Sequence, residues 1–85
     1  MSGGVVSVAF SVNIAVLKTR AGYAEGIAGD IDRCGFKSVL GTVAGHDTIF
    51  LVIREGYTKQ DVLTELERII PEIKNLLENK SLNIL

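Results

Sequence analysis

Apolar residues recur along this chain with two different spacings, one typical of strands and one typical of helices. Residues 5–10 and 14–19 are short apolar segments separated by three residues, which predicts two antiparallel strands. Residues 39–43 and 48–54 are a second pair, rich in β-branched side chains that suit a pleated, half-buried surface. The chain therefore contains two predicted β-hairpins.

One helix is predicted after each hairpin. Residues 23–34 carry apolar side chains at the i, i+3, i+4, i+7 positions of a core face, and Gly35 is the expected C-cap. The second helix begins after Thr58, an N-cap residue with Asp61 in the capping-box position. Its apolar stripe runs on to Leu77, but Pro71 predicts a kink or an end near Ile70.

The order strand, strand, helix, strand, strand, helix predicts an α+β fold. We expect a two-layer sandwich, ββαββα, with a four-stranded antiparallel sheet and both helices on one face. Residues 1–85 form a single domain because the chain is too short for two. The predicted core spans about residues 5–77, and residues 78–85 are expected to be a mobile tail.

Charge and composition narrow the function classes. The net charge is −1 and the pI about 5.7, so no basic surface indicates nucleic-acid binding by this domain. The single cysteine, Cys34, cannot form an internal disulfide, which favours a reducing compartment such as the cytoplasm. Cys34 lies at the end of a helix that faces the sheet, so its side chain is expected to be buried. No apolar run approaches the roughly 20 residues that span a membrane.

Phe50 and Val52 lie on the opposite face of their strand from Ile49, Leu51 and Ile53. With helices on one side of the sheet only, Phe50 and Val52 would be exposed. Such an apolar patch on a small domain is typical of a contact with another chain. Coverage by loops or by the C-terminal tail is the alternative.

The first helix carries a second stripe, formed by Glu25, Gly29 and Asp32 on the side away from the core. Two carboxylates about 10 Å apart would flank a position without a side chain. The stripe is either a solvated face or a notch that binds a cation, and spacing alone leaves both interpretations open. Gly26 and Gly29 each lower the stability of a helix by about 1 kcal/mol relative to alanine. Either packing on the sheet tolerates this cost, or the glycines allow another group to approach the helix closely.

The predicted tip of the second hairpin comprises Ala44, Gly45, His46 and Asp47. Gly45 is expected to supply the positive φ of a tight turn. His46 is the only histidine, no nucleophile is placed beside it, and three or four converging metal ligands are not evident. The sequence therefore predicts neither an enzyme nor a metal or cofactor site, and recognition of a cation by carboxylates remains.

The stretch Gly41-Thr-Val-Ala-Gly-His-Asp-Thr-Ile-Phe50 resembles a motif of the C-terminal domain of bacterial arginine repressors, commonly Gly-Thr-Ile-Ala-Gly-Asp-Asp-Thr. Residues 18–24 resemble a second family motif, Thr-x-Pro-Gly-x-Ala, and Asp32 follows at the family's spacing. The resemblance spans roughly residues 12–77. His46 stands where the family usually has an aspartate, and Ala21 stands where it usually has proline.

This resemblance implies the fold predicted above and free L-arginine as an effector ligand, held between two trimers. It implies ligand contacts from Glu25, Asp32 and the turn formed by Ala44, Gly45, His46 and Asp47. It also implies self-association as a homotrimer and homohexamer, with Phe50, Val52 and Gly29 as our predicted interface positions. Operator DNA would be bound by an N-terminal winged-helix domain, so the chain is expected to be a fragment of a transcriptional repressor.

His46 leaves two alternatives open. The domain is a pure assembly module that has lost arginine sensing, or it senses a different amino acid. Glu25 adds a negative charge where the family often has glutamine, so the site could keep its overall charge while moving it.

Overall fold

The computed structural model describes residues 2–78 and contains a four-stranded antiparallel sheet and two α-helices. The strands are β1 (Val5–Ser11), β2 (Ile14–Thr19), β3 (Val39–Ala44) and β4 (Thr48–Ile53), and the helices are α1 (Ala24–Cys34) and α2 (Lys59–Leu66). Short 3-10 turns cover Ser2–Gly4 and Ile73–Leu76. The predicted ββαββα order is confirmed.

The two hairpins are joined through their inner strands, which gives the strand order β1-β2-β4-β3. All pairings are antiparallel, and Lys18 near the end of β2 pairs with Thr48 at the start of β4. The loop that follows β2 and the tip of the β3–β4 hairpin therefore lie at the same end of the sheet. This topology places the loop before α1 beside the tip.

One face of the sheet is buried beneath both helices. Alternating residues of each strand enter a single core, and the four predicted core positions of α1 (Ala24, Ile27, Ala28 and Ile31) are all buried. Side chains from α2 and the segment after it complete the same core. The largest buried apolar residues are Leu17, Ile31, Ile49, Leu51, Leu63, Leu66, Ile70 and Ile73.

The other face of the sheet carries an apolar row. Phe50 pairs with Val16 on one side and with Val43 on the other. Phe50 is 52% exposed, Val43 is 72% exposed and Val52 is partly buried. The outward orientation predicted for Phe50 and Val52 is confirmed, whereas coverage by residues 79–85 lies outside the described residues.

Both helices use the predicted terminal signals. Gly35 adopts a left-handed φ of 63° at the C-cap of α1. At the start of α2, the Asp61 amide donates to Thr58 Oγ1 at 3.0 Å and the Thr58 amide donates to Asp61 Oδ2 at 2.9 Å. This is the complete capping box, and it fixes where the chain turns from β4 into α2.

The second helix ends at Leu66, four residues before the expected position near Ile70. Beyond it, the amides of Arg68 and Ile69 bond three residues back, as in tighter turns. Pro71 disfavours α-helical geometry at the residue before it, so the chain leaves the helix early. Ile70 and Ile73 nevertheless reach the core, as their place in the apolar stripe predicts.

The C-terminal segment returns to the edge of the sheet. Leu77 forms a parallel bridge with Val8, and the Glu78 amide donates to the Val8 carbonyl at 2.9 Å. Residue 78 is thus attached to β1, and the rest of the predicted tail, residues 79–85, lies outside the described residues.

The prediction that Cys34 is buried is wrong, because its side chain is exposed. Cys34 is the last residue of α1, and the chain reverses at Gly35 immediately afterwards. Phe36 then enters the core from the following turn. The core position at this end of α1 is therefore filled by Phe36, and the cysteine remains at the surface.

Candidate functional site

The hairpin tip is held by backbone hydrogen bonds from the end of β2 and from the loop before α1. The Thr19 amide donates to the Asp47 carbonyl at 2.8 Å, and the Gly22 amide donates to the His46 carbonyl at 2.9 Å. Gly22 has a φ of +83°, a conformation that favours glycine over residues with a Cβ. These bonds fix the main chain that carries His46 and Asp47.

The predicted positive φ at Gly45 is wrong. Among the residues described, the glycines with positive φ are Gly22, Gly35 and Gly56. The Gly45 amide instead donates to the Thr48 carbonyl at 2.8 Å across the tip. At this site the glycine with positive φ is Gly22, in the loop whose amide holds the tip.

A cavity of about 340 Å³ lies between the first turn of α1 and the hairpin tip. It is lined by Gly22, Glu25, Gly45 and His46. A Cβ built on Gly22 would lie 3.9 Å from His46 Cε1, so the imidazole ring lies beside the bare glycine. The structure thus brings three predicted ligand residues together, with one carboxylate and one imidazole among them.

Asp47 does not line this cavity. Thr48 Oγ1 donates to Asp47 Oδ1 at 2.9 Å, and Lys18 Nζ donates to Thr48 Oγ1 at 3.0 Å. Lys18 and Thr48 are cross-strand partners on β2 and β4. The carboxylate of Asp47 is therefore connected through Thr48 to Lys18 of β2, while the preceding residue, His46, lines the cavity beside α1.

Asp32 lies in a third place. Thr42 Oγ1 on β3 donates to Asp32 Oδ2 at 2.9 Å, and Asp32 lines a separate cavity of about 210 Å³ whose wall includes Arg54. Ala44 is partly buried at the end of β3, where it pairs with Ile49. Within one copy of the chain, the predicted ligand residues are distributed over three neighbouring positions.

Gly29, predicted to be the bare centre of an acidic notch, is beside a cation. A Cβ built on it would lie 3.4 Å from Arg33 Nη1, and Arg33 is ion-paired with Asp30. Around Gly26, by contrast, an added Cβ would meet nothing within 4 Å. The outer face of α1 is therefore an alternation of acids and a base instead of a uniformly negative groove.

Sequence reasoning placed Gly22 in a loop and did not predict its bond to His46. It also did not predict that Thr42 and Thr48 would hydrogen bond the two aspartates. The available signal was the position of Gly22 two residues before a helix whose N-cap, Tyr23, forms no side-chain cap hydrogen bond. Thr48 is the sequence neighbour of Asp47, whereas the contact of Thr42 with Asp32 depends on the packing of α1 beside β3, which local spacing does not show.

The rest of residues 2–78 carries fewer features of a chemical site. No group of three or more His, Cys, Asp or Glu side chains is positioned there to hold a metal ion. Within the same range, no helix has the length and apolar character needed to cross a membrane. A mainly apolar groove of about 830 Å³ lies at the opposite end of the sheet, between Val12 and Tyr57, and contains none of the predicted ligand residues.

The fold and the cavity define a small α+β domain with a candidate ligand site, and comparison with known proteins identifies its family. The family described as "Arginine repressor, C-terminal domain" matches residues 1–68. The chain therefore belongs to the arginine repressor family, which is a family of transcriptional repressors and not of enzymes.

Individual relatives carry the same name. The arginine repressor of Phocaeicola vulgatus is 54% identical over 74 residues, covering 87% of this chain and 47% of the relative. That of Bacteroides thetaiotaomicron is 51% identical over 73 residues, covering 86% and 46%. That of Alkaliphilus metalliredigens is 44% identical over 63 residues, covering 74% and 40%. The chain spans about half the length, or less, of the curated relatives it matches.

Proposed function

We propose that this domain binds L-arginine and couples that binding to its own assembly within an arginine-responsive repressor. The observation that carries the proposal is the cavity in which Glu25 of α1 and His46 of the hairpin tip meet. The family and the names of the relatives supply the ligand class. Operator DNA would be bound by a part of the repressor outside this chain, acting in the cytoplasm.

The distribution of the acidic side chains favours a ligand held between subunits. Asp32 and Asp47 lie outside the cavity that contains Glu25. A cationic ligand that used all three carboxylates would need more than one copy of the domain. Binding at such a junction stabilises the assembled state by mass action, because the separated subunits lack a complete site.

The apolar row on the outer sheet face supports self-association. Phe50 and Val43 are adjacent and more than half exposed, and Val52 lies on the same face. Burying these side chains against other copies would remove apolar surface from water. We propose trimers formed through this face, joined in pairs into a hexamer near the arginine site, with the outer side of α1 at Gly29 close to the second trimer.

Sedimentation velocity at low micromolar protein, with and without L-arginine, tests the proposal. A shift from trimer to hexamer on adding arginine is the expected result. Isothermal titration with arginine, lysine and citrulline identifies the ligand independently of assembly. If the same oligomers form with and without arginine, and no ligand releases heat on titration, the domain is an assembly module that senses no amino acid.

A sensor of a different amino acid is the second candidate, and His46 is the observation that favours it. The imidazole stands in the cavity where the family usually has a carboxylate, and Glu25 stands where the family often has glutamine, so the negative charge of the cavity lies on α1 and not on the hairpin tip. In the same titration, stronger binding of lysine or citrulline than of arginine would select this candidate.

A further inference from the structure

We propose that the apolar groove at the end of the sheet opposite the hairpin tip is the docking site for this chain's own C-terminal segment, residues 79–85. The side chains that fill it are Leu82, Ile84 and Leu85. The groove contains none of the predicted ligand residues, and the family match covers residues 1–68, so this inference is independent of arginine binding.

The first argument is the direction in which the chain leaves the described residues. Leu77 forms a parallel bridge with Val8, and the Glu78 amide donates to the Val8 carbonyl at 2.9 Å. A parallel bridge means that the chain at Leu77 runs the same way as β1. Since β1 ends at Ser11, the segment after Glu78 is directed toward the turn at Val12.

The second argument is length. If residues pair one for one with β1, the bridge of Leu77 to Val8 brings residue 81 opposite Val12, where the sheet ends. Residues 82–85 then extend beyond the sheet, and four residues at about 3.3 Å each span about 13 Å. Val12 and Asn13 belong to one wall of the groove. The segment therefore arrives at the mouth of the groove with enough chain to enter it.

The third argument is the match between the two surfaces. The groove has a volume of about 830 Å³, and Tyr57 on its far wall is 39% exposed. Three of the four residues 82–85 are apolar, so docking would remove apolar surface from water on both sides. The charged residues that line the groove carry both signs, which favours no charged ligand; they are Arg54, Glu55 and Lys59.

The fourth argument is the position of β1 at the edge of the sheet. An edge strand offers main-chain groups to any extended segment, and proteins commonly cover such edges. An added strand gains main-chain hydrogen bonds from the edge, while its side chains enter pockets nearby. The bond from the Glu78 amide is the first of this kind, and the groove lies where the strand would end.

The test is methyl NMR of the whole 85-residue chain with labelled leucine and isoleucine side chains. We expect nuclear Overhauser contacts from the methyl groups of Leu82 and Ile84 to the ring protons of Tyr57. A sample mixed from labelled and unlabelled chains separates contacts within one chain from contacts between chains. Absence of contacts to Tyr57 would overturn the proposal. Contacts found only between chains would also overturn it, because a second copy would then fill the groove.

Substitutions give an independent measurement. Leu82→Asp combined with Ile84→Asp should make hydrogen exchange of the Glu78 amide at least about tenfold faster, because burial of one large apolar side chain is worth at least that factor. Asn83→Asp is the matched control, since it adds charge to the same segment and keeps the apolar residues. Tyr57→Asp should act like the double variant, whereas Tyr57→Phe should not. Equal exchange in the double variant and its control would contradict docking in the groove.

Discussion

The amide of Gly22 donates a hydrogen bond of 2.9 Å to the carbonyl of His46, which joins the loop before α1 to the tip of the second hairpin. The bond depends on a φ of +83° at Gly22. It fixes the main chain at His46, the residue at which this chain's candidate site departs from the family pattern.

Gly22→Ala should destabilise the domain by about 1–2 kcal/mol, because a Cβ disfavours the left-handed conformation. Space is not the cause, since the new Cβ would make only an ordinary contact 3.9 Å from His46 Cε1. Gly26→Ala is the control: it lies inside α1 with open space around it and should stabilise by about 0.5–1 kcal/mol. Urea denaturation of both variants measures the difference, and equal effects would refute the conformational argument.

Val12 is a second position of backbone strain. It is a β-branched residue with a φ of 53° in the two-residue turn between Ser11 and Ile14, and its side chain is 85% exposed. Val12→Asn should stabilise by about 1 kcal/mol, because asparagine tolerates this conformation and little packing is lost. Asn13→Gly should not stabilise. Thermal unfolding checks both, and a lower melting temperature for Val12→Asn would show that the exposed side chain has a packing role.

Glu65 links α2 to the start of β3. Its carboxylate accepts from the Lys37 amide at 3.1 Å, from the Ser38 amide at 2.8 Å and from the Ser38 hydroxyl. Burial raises the pKa of Glu65, but the bonds from Ser38 and Lys37 and the charge of Arg68 outweigh it, so the pKa lies below its usual value. The ionised form is therefore favoured by folding.

Glu65→Gln should cost about 1–2 kcal/mol at pH 7. Since the folded-state pKa is lowered, this stabilisation is present above the ordinary value of 4.5 and is lost as the pH falls through the folded-state value. The gap between wild type and variant should thus shrink on acidification. Glu67→Gln is the control, because Glu67 has only a 3.5 Å ion pair with Lys74 at the surface. A gap that stays constant from pH 7 to pH 3 would contradict the charge argument.

Phe50→Lys tests the proposed interface on the outer sheet face. A charge in the row of Val16, Phe50 and Val43 should dissociate the oligomer, because burying an unpaired ammonium is costly. The fold should survive, since Phe50 is 52% exposed and outside the core. Val6→Lys, at a residue 54% exposed on β1, is the matched control and should leave assembly unchanged. Sedimentation and circular dichroism together separate dissociation from unfolding.

The local elements of this domain were determined by the sequence itself. Strand alternation, the helical spacing of α1, the left-handed Gly35 and the box of Thr58 and Asp61 depend on interactions within a few residues. These local elements can therefore be predicted from the side chains that are close to them in sequence. The same holds for the outward face of Phe50 and Val52, because the side-chain period of a strand is two.

Only the tertiary structure decided which predicted ligand residues meet. Glu25 and His46 share a cavity because the pairing of β2 with β4 brings the loop before α1 against the hairpin tip. Asp32 of α1 accepts from Thr42 of β3 because α1 packs beside β3. The bond from the Gly22 amide to the His46 carbonyl has the same origin. These features depend on contacts between residues distant in sequence, and local spacing carries no information about such contacts.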